Sequence, residues 1–357
     1  MEKLGGLRRF AVRRGLDAIF ISHSKNVAYF TGIVDTSLLL VVPKNVSPFI
    51  LTSELGKADV RGCGLKTYSV GPKGDLKEKS VYSAAQKVLG KRKLKIGYES
   101  RMPHQQFLVM QKKIKGSFVD VSPMIEGMRA VKSDDEIEKI KKALDIAERG
   151  MKVARDFIKD GATEIEIAAA AEGAMRLSGA EWFSFNSIVA SGPNPAKPHF
   201  SPTERRIRAG EFIVVDIGAM YKGYCSDITR TFCVRPTAKQ KKIYNIVLKA
   251  QAAAEAKARP GVRASAVDAA ARNVIKRAGY GKEFIHSTGH GVGLEIHESP
   301  SVSPSSKEKL KPGMVFTVEP GIYIEGYGGV RIEDMVLLTR KGKVILNRFP
   351  RELEVKV

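Results

Sequence analysis

Five residues in the second half of the chain place acidic or imidazole chemistry where such groups are costly to bury. Asp216 interrupts the apolar run Glu211-Phe-Ile-Val-Val-Asp-Ile-Gly-Ala219, and Asp227 lies in Tyr224-Cys-Ser-Asp-Ile-Thr-Arg-Thr-Phe232. Glu319 ends the apolar stretch Met314-Val-Phe-Thr-Val-Glu-Pro320, and Glu333 sits within Val330-Arg-Ile-Glu-Asp-Met-Val-Leu-Leu338. His290 stands among Gly289, Gly291 and Gly293, seven residues before His297. A buried carboxylate without a partner is either strongly destabilising or driven to its neutral form. Several carboxylates in one place therefore call for cations. The four carry four negative charges, which two divalent ions would neutralise. Oxygen ligands with one imidazole suit manganese, cobalt, iron or zinc better than a thiolate-seeking metal. Taken singly, each carboxylate reads more readily as a salt-bridged structural residue, and His290 could be a core histidine bonded to backbone.

The surrounding elements decide whether these groups can meet. A turn at Lys222-Gly223 folds the Tyr224–Phe232 strand back on the Glu211–Ala219 strand, setting Asp216 opposite Thr229 and Gly218 opposite Asp227. Side chains alternate faces along a strand, so the two aspartates become diagonal neighbours on one face. Glu319 and Glu333 join them with His290 if the strands that carry them share a sheet. Helix-start signals frame these strands. Ser133-Asp-Asp-Glu136, Thr163-Glu-Ile-Glu166 and Thr237-Ala-Lys-Gln240 are capping-box patterns. They open helices expected to reach Lys159, to cover Ala168–Leu177 and to reach Arg259. The segments beginning at Gly161 and Gly261 echo each other, with five of twenty positions identical. Each follows a long helix and precedes strand-like sequence, which argues for a duplicated helix-helix-sheet half with a cleft between the copies.

Before this region the texture is different. Strand-like segments at Asp17–Ser22, Ser37–Val42, Phe49–Thr52 and Leu94–Tyr98 alternate with helical ones at Ser80–Gly90 and His104–Lys115, as in a small α/β domain. The change falls near Ser122–Arg129. The chain thus reads as α/β (α+β), with one domain over 1–125 and a second over 130–357. No run of about eighteen apolar residues suggests a membrane span. The N-terminus lacks the apolar core of a signal peptide. Cys63, Cys225 and Cys233 show neither disulfide nor zinc-finger spacing, which suggests a reducing compartment, the cytoplasm. The net charge of +22 raises nucleic acid as a partner, yet residues 1–129 hold +13 of it and the remainder +9. No nucleic-acid motif accompanies the densest run, Lys91–Lys95. The charge is read as a solvated basic surface.

The contexts VVDIG, CSDITRT, TGHGVG, TVEPG and VRIED, in this order, resemble those of the metal-dependent peptidases of the pita-bread fold, most of all the Xaa-Pro peptidases, prolidase and aminopeptidase P. NVAYFTGIVDTSLLLVV, Asn26–Val42, resembles their creatinase-like amino-terminal domain, so the resemblance spans essentially the whole chain. It implies a pita-bread catalytic domain with pseudo-twofold halves. It also implies two divalent ions per subunit, manganese or cobalt first, with zinc or iron as alternatives. Asp216 and Asp227 would bind one ion, Asp227 and Glu333 would bridge, and His290 and Glu319 would complete the second site. Glu319 would also shuttle a proton. His297, and His199 in Ile188-Val-Ala-Ser-Gly-Pro-Asn-Pro-Ala-Lys-Pro-His199, match substrate-facing histidines of the family. The glycines would let the His290 backbone crowd the metal site. His23, His104 and His286 are expected to be structural or surface residues, and Arg331 to support the ligands.

The implied activity is hydrolysis of the bond before proline, as an Xaa-Pro dipeptidase acting as a cytoplasmic homodimer on small peptides. An Xaa-Pro aminopeptidase acting on longer peptides is the alternative. Some relatives carry an arginine after the proline of their HExP motif, and Ser301 stands there in this chain. The same fold also hosts metal-free binding modules and metal-free creatinase-type hydrolases, both of which would leave five intact ligand positions without a use.

Overall fold

The computed structural model describes residues 2–34, 38–60, 62–90 and 92–355, so Ser37 and Lys91, the first residues of two expected segments, lie outside the described residues. The chain divides into two compact units, Met1–Gly127 and Met128–Val357.

The first unit is built on a six-stranded mixed sheet in the order Lys66–Val70, Phe49–Ser53, Leu38–Pro43, Ala18–Ile21, Leu94–Tyr98, Gly116–Asp120. Every residue of Ala18–Ile21 and Leu38–Pro43 is buried. That explains their continuous apolar sequence, since a central strand covered on both faces has no polar side to show. The edge strands Lys66–Val70 and Gly116–Asp120 are mostly half-buried or exposed, with Ser69 the one buried position between them. The helix Val81–Leu89 is capped by Ser80, whose hydroxyl accepts from the Ser83 N–H, and it ends at Gly90 with φ 100°. Phe20, Leu39, Leu51, Tyr82 and Met110 belong to one core.

The second unit contains two helix pairs, Asp134–Phe157 with Glu164–Leu177 and Ala238–Lys257 with Ala264–Arg277. Reciprocal capping boxes at Ser133/Glu136, Thr163/Glu166 and Thr237/Gln240 start three of them. The echo in sequence is an echo in structure. Gly161 and Gly261 turn the chain between helices with φ 85° and 83°, and their N–H groups donate to Ile207 O and Leu310 O respectively. Only glycine takes such a φ without penalty, which is why the echo keeps it.

The strands of this unit fall into several small sheets. Ile228–Cys233, Phe212–Ile217 and Ile188–Ser191 form one, in that order. Glu298–Val302, Gly289–Gly291, Val315–Val318, Asp334–Thr339 and Gly342–Ile345 form another, and Gly321–Ile324 pairs with Gly328–Arg331. The expected hairpin is present. Thr229 faces Asp216 and Tyr221 faces Tyr224, across Lys222 and Gly223 at φ 47° and 78°. Two successive positive φ values give the turn whose twist matches the flanking strands.

Two expectations differ. The site-bearing strands do not share one sheet, because the ladders break beside the site. Gly218 and Asp227, expected to face each other within one ladder, fall at breaks, Gly218 between Phe212–Ile217 and Ala219–Tyr221 and Asp227 between Tyr224–Cys225 and Ile228–Cys233. Glu333 likewise sits in the gap between Gly328–Arg331 and Asp334–Thr339, where its N–H donates to Thr229 O of the neighbouring sheet. Among the described residues, no helix is long and apolar enough to cross a membrane.

Candidate functional site

The breaks in the ladders let side chains from several of these sheets face one cavity of about 480 Å³. Asp216, Asp227, His290, Glu319 and Glu333 all line it, as do His199 and His297. His290 Nε2 lies 3.6 Å from Asp227 Oδ2 and 3.3 Å from Glu319 Oε1. Asp227, His290 and Glu333 each offer a ligand atom within 4.8 Å of the others. His290 Nδ1 lies 3.1 Å from Gly291 O, and a carbonyl can only accept, so Nδ1 carries a proton and Nε2 is the nitrogen presented to the acidic cluster. The His297 ring stands edge-on to that of His290, with 4.2 Å between centroids.

The glycines beside His290 pack against neighbouring backbone. A Cβ on Gly289 would lie 2.0 Å from Thr317 O, and one on Gly291 would lie 2.2 Å from Ser299 O. They admit neighbouring backbone at separations a side chain would block. The strand can then sit deep enough for the His290 N–H to donate to Thr317 Oγ1 at 3.0 Å.

Three buried carboxylate oxygens in this cluster, Asp216 Oδ1, Asp227 Oδ1 and Glu333 Oε1, have no hydrogen-bond partner among the described residues. Buried polar atoms are nearly always satisfied, so three orphans beside one imidazole mark a place for something absent from the polypeptide. Burial first, then the charges of neighbouring carboxylates, pushes Asp227 and Glu333 well above the usual carboxylate range. Burial also raises Glu319, but the bond and charge of His290 outweigh it and bring Glu319 down to about 2. Burial disfavours protonation of His290, and Glu319 beside it reverses the sign, so that its pKa is raised. A group of acids that hold protons or borrow a histidine's proton is a group short of cations. Oxygen donors and one nitrogen fit divalent ions of the manganese-to-zinc range.

Arg331 reduces the deficit. Its Nη2 donates to Asp216 Oδ2 at 2.6 Å, its Nε to Thr229 Oγ1 at 3.2 Å and its Nη1 to Tyr323 Oη at 3.0 Å. The Thr229 hydroxyl in turn donates to Glu333 Oε2 at 2.7 Å. With all four carboxylates ionised, the cluster therefore carries one charge fewer than a count of acids alone suggests.

His286, expected to be structural or at the surface, lines the same cavity. Its Nδ1 donates to Ser287 O at 2.7 Å, and its Nε2 accepts from Tyr323 Oη at 2.8 Å. Burial lowers its pKa, in keeping with a neutral ring. Its spacing of four residues from His290 was the one available signal; Tyr323 and Thr229 offered none beyond being polar residues in apolar strands.

The family model for metallopeptidase family M24 matches residues 138–340, and that for the creatinase/prolidase N-terminal domain matches residues 3–131. The Xaa-Pro dipeptidase of Pyrococcus horikoshii is 39% identical over 358 residues, covering 99% of this chain and 98% of that protein. The crystal structure of the prolidase from the same organism superimposes with a TM-score of 0.92 at 39% identity, covering 99% of this chain and all of that one. The X-Pro aminopeptidase from Thermotoga maritima gives 0.87 at 35% identity, covering 96% of this chain and 98% of that one.

Proposed function

The chain belongs to metallopeptidase family M24, and we propose that within it this protein hydrolyses the peptide bond before proline, as an Xaa-Pro dipeptidase. The observation that carries the reading is the set of three partnerless buried carboxylate oxygens around His290. In this reading Asp216, Asp227, His290, Glu319 and Glu333 would hold two divalent ions. Manganese or cobalt is the preferred pair, with zinc or iron as alternatives. The bound ions would supply Lewis acidity and an activated water.

The chain's own groups do the rest. His199 and His297 stand at the cavity wall, where an imidazole N–H can meet the charge that builds on the scissile carbonyl oxygen. Burial and the neighbouring His290 lower the pKa of His297, favouring its neutral donor form. Glu319 moves a proton towards the leaving nitrogen. Arg331 holds Asp216 in place through a bond 2.6 Å long.

Ser301 favours a second reading, an Xaa-Pro aminopeptidase. It lines the cavity where some relatives carry arginine, and the Arg331 guanidinium is already engaged by Asp216 and Tyr323. A free terminal carboxylate would then meet neutral groups rather than a fork of cationic donors. The reading extends to a homodimer in the cytoplasm with no nucleic-acid or membrane partner, and the three free cysteines support a reducing compartment. Rates on Xaa-Pro dipeptides, on the same dipeptides amidated at the carboxyl end and on longer Xaa-Pro peptides, each with added manganese or cobalt, test the choice. Dipeptides are expected to be cleaved fastest. Preference for the longer peptides would establish the aminopeptidase, and no cleavage of either would overturn the peptidase reading.

A further inference from the structure

Glu164 is the first residue of the helix Glu164–Leu177 and is completely buried, far along the chain from the acidic cluster. Its carboxylate accepts five hydrogen bonds. Oε1 takes the Ser191 N–H at 2.7 Å, the Ser191 hydroxyl at 2.8 Å and the Asn194 amide at 2.9 Å. Oε2 takes the Thr203 N–H at 3.1 Å and the Thr203 hydroxyl at 2.6 Å. Ser191 and Thr203 are the two ends of the segment 192–202, which contains Pro193, Pro195, Pro198 and Pro202 and carries His199. Pro198, His199, Phe200 and Ser201 line the cavity.

One side chain thus ties both ends of a cavity wall. Its four prolines lack a backbone N–H, so the segment forms no ladder of its own. Apart from Glu164 it is held by the turn bonds of Ala196 and Lys197, the Gly192 N–H to Phe212 O at 3.0 Å and Arg331 Nη1 to Pro198 O at 3.4 Å. Among the described residues no hydrogen bond holds the His199 ring, so its place depends on where the segment is anchored. The other half of the unit has a related contact at one point only. Asp268, on the equivalent helix Ala264–Arg277, is buried and accepts the Thr288 N–H at 3.1 Å and the Thr288 hydroxyl at 2.9 Å, on the segment leading to His290.

We infer that Glu164 is a positioning residue for His199, clamping both ends of the 192–202 segment so that the imidazole reaches the reacting carbonyl. The inference rests on the role given to His199 above. Glutamine at this position keeps the shape but turns an amide donor towards groups that are themselves donors, leaving buried N–H and O–H groups unsatisfied. A displacement of about 1 Å in such a group costs on the order of 100-fold in rate.

A double-mutant cycle separates positioning from a plain structural role. Glu164→Gln is expected to lower kcat roughly 10- to 100-fold with metal content unchanged, and to add almost nothing when His199 is already alanine. Equal losses in the two backgrounds would overturn the inference. Should Glu164→Gln not fold, Thr203→Val removes one hydroxyl donor while sparing the Thr203 N–H bond, and the same cycle then reads a smaller loss. If the wild-type protein cleaves no Xaa-Pro peptide, the peptidase reading fails separately. The clamp is then read from the His199 imidazole NMR signals, which should shift or broaden in Glu164→Gln. Unchanged His199 signals would reject it.

Discussion

The acidic cluster separates two kinds of residue by what their oxygens and nitrogens lack. Among the described residues Asp227 and Glu333 each keep one buried oxygen without a partner, whereas His297 stands at the edge of the His290 ring, outside the Asp227–His290–Glu333 group. Their substitutions should therefore fail differently. Asp227→Asn or Glu333→Gln is expected to abolish hydrolysis and reduce bound metal while the protein stays folded, because an amide carries no charge to balance a cation. His297→Ala is expected to keep its metal and lose about 100- to 1000-fold in turnover, the usual cost of one oxyanion donor. Metal content by elemental analysis alongside kcat distinguishes the two. Metal lost from His297→Ala would make His297 a ligand, and near-normal turnover in Asp227→Asn would remove the shared site.

The strands around the site work by close approach and by interruption. Gly289 and Gly291 let one strand lie against the carbonyls of Thr317 and Ser299, at separations no Cβ tolerates. Because the obstacle is backbone, side-chain repacking cannot relieve it. Gly289→Ala is expected to cost about 1–3 kcal/mol of stability, the usual range for overpacking, and to weaken metal binding as His290 is pushed out of line. Thermal unfolding with and without added metal checks both effects. A variant with wild-type melting temperature and metal content would mean that the strand has slack. The ladder breaks at Gly218 and beside Glu333 matter equally, since an unbroken strand would have kept these side chains in its own pleat.

For the molecule as a whole, the cluster is a destabilising concentration of acid unless cations or protons relieve it. The folded-state pKa values of Asp227 and Glu333 are raised, by burial first and then by neighbouring carboxylates. Groups raised in this way favour the folded state while protonated, fully below their unfolded pKa of about 4, and lose that contribution as pH rises through the folded value. Bound metal replaces the protons and binds the native state alone. Chelation is therefore expected to lower the melting temperature, and the gap between metal-loaded and chelated protein should widen from mildly acidic to mildly alkaline buffer. Differential scanning calorimetry across that range measures it. A gap that stays constant or narrows would show that these carboxylates do not carry the linkage.

Much of this was legible in the chain itself, because it depends on neighbours in sequence. Hydroxyl residues three positions before Glu or Gln start the helices, Lys222-Gly223 turns the hairpin, and the Asp216–Thr229 register follows from that turn. The acidic residues stood out because charge within an apolar strand needs a reason. What sequence could not decide was the set of partners. Arg331 reaches Asp216 across 115 residues, Thr229 reaches Glu333 across 104, and Tyr323 and His286 meet across 37. Neither periodicity nor capping chemistry encodes such pairs. They exist because separate small sheets meet at one place and face their side chains into one cavity. Glu164 reads in sequence as an ordinary first-turn helix acid, and only the packed structure brings Ser191 and Thr203 to its two oxygens.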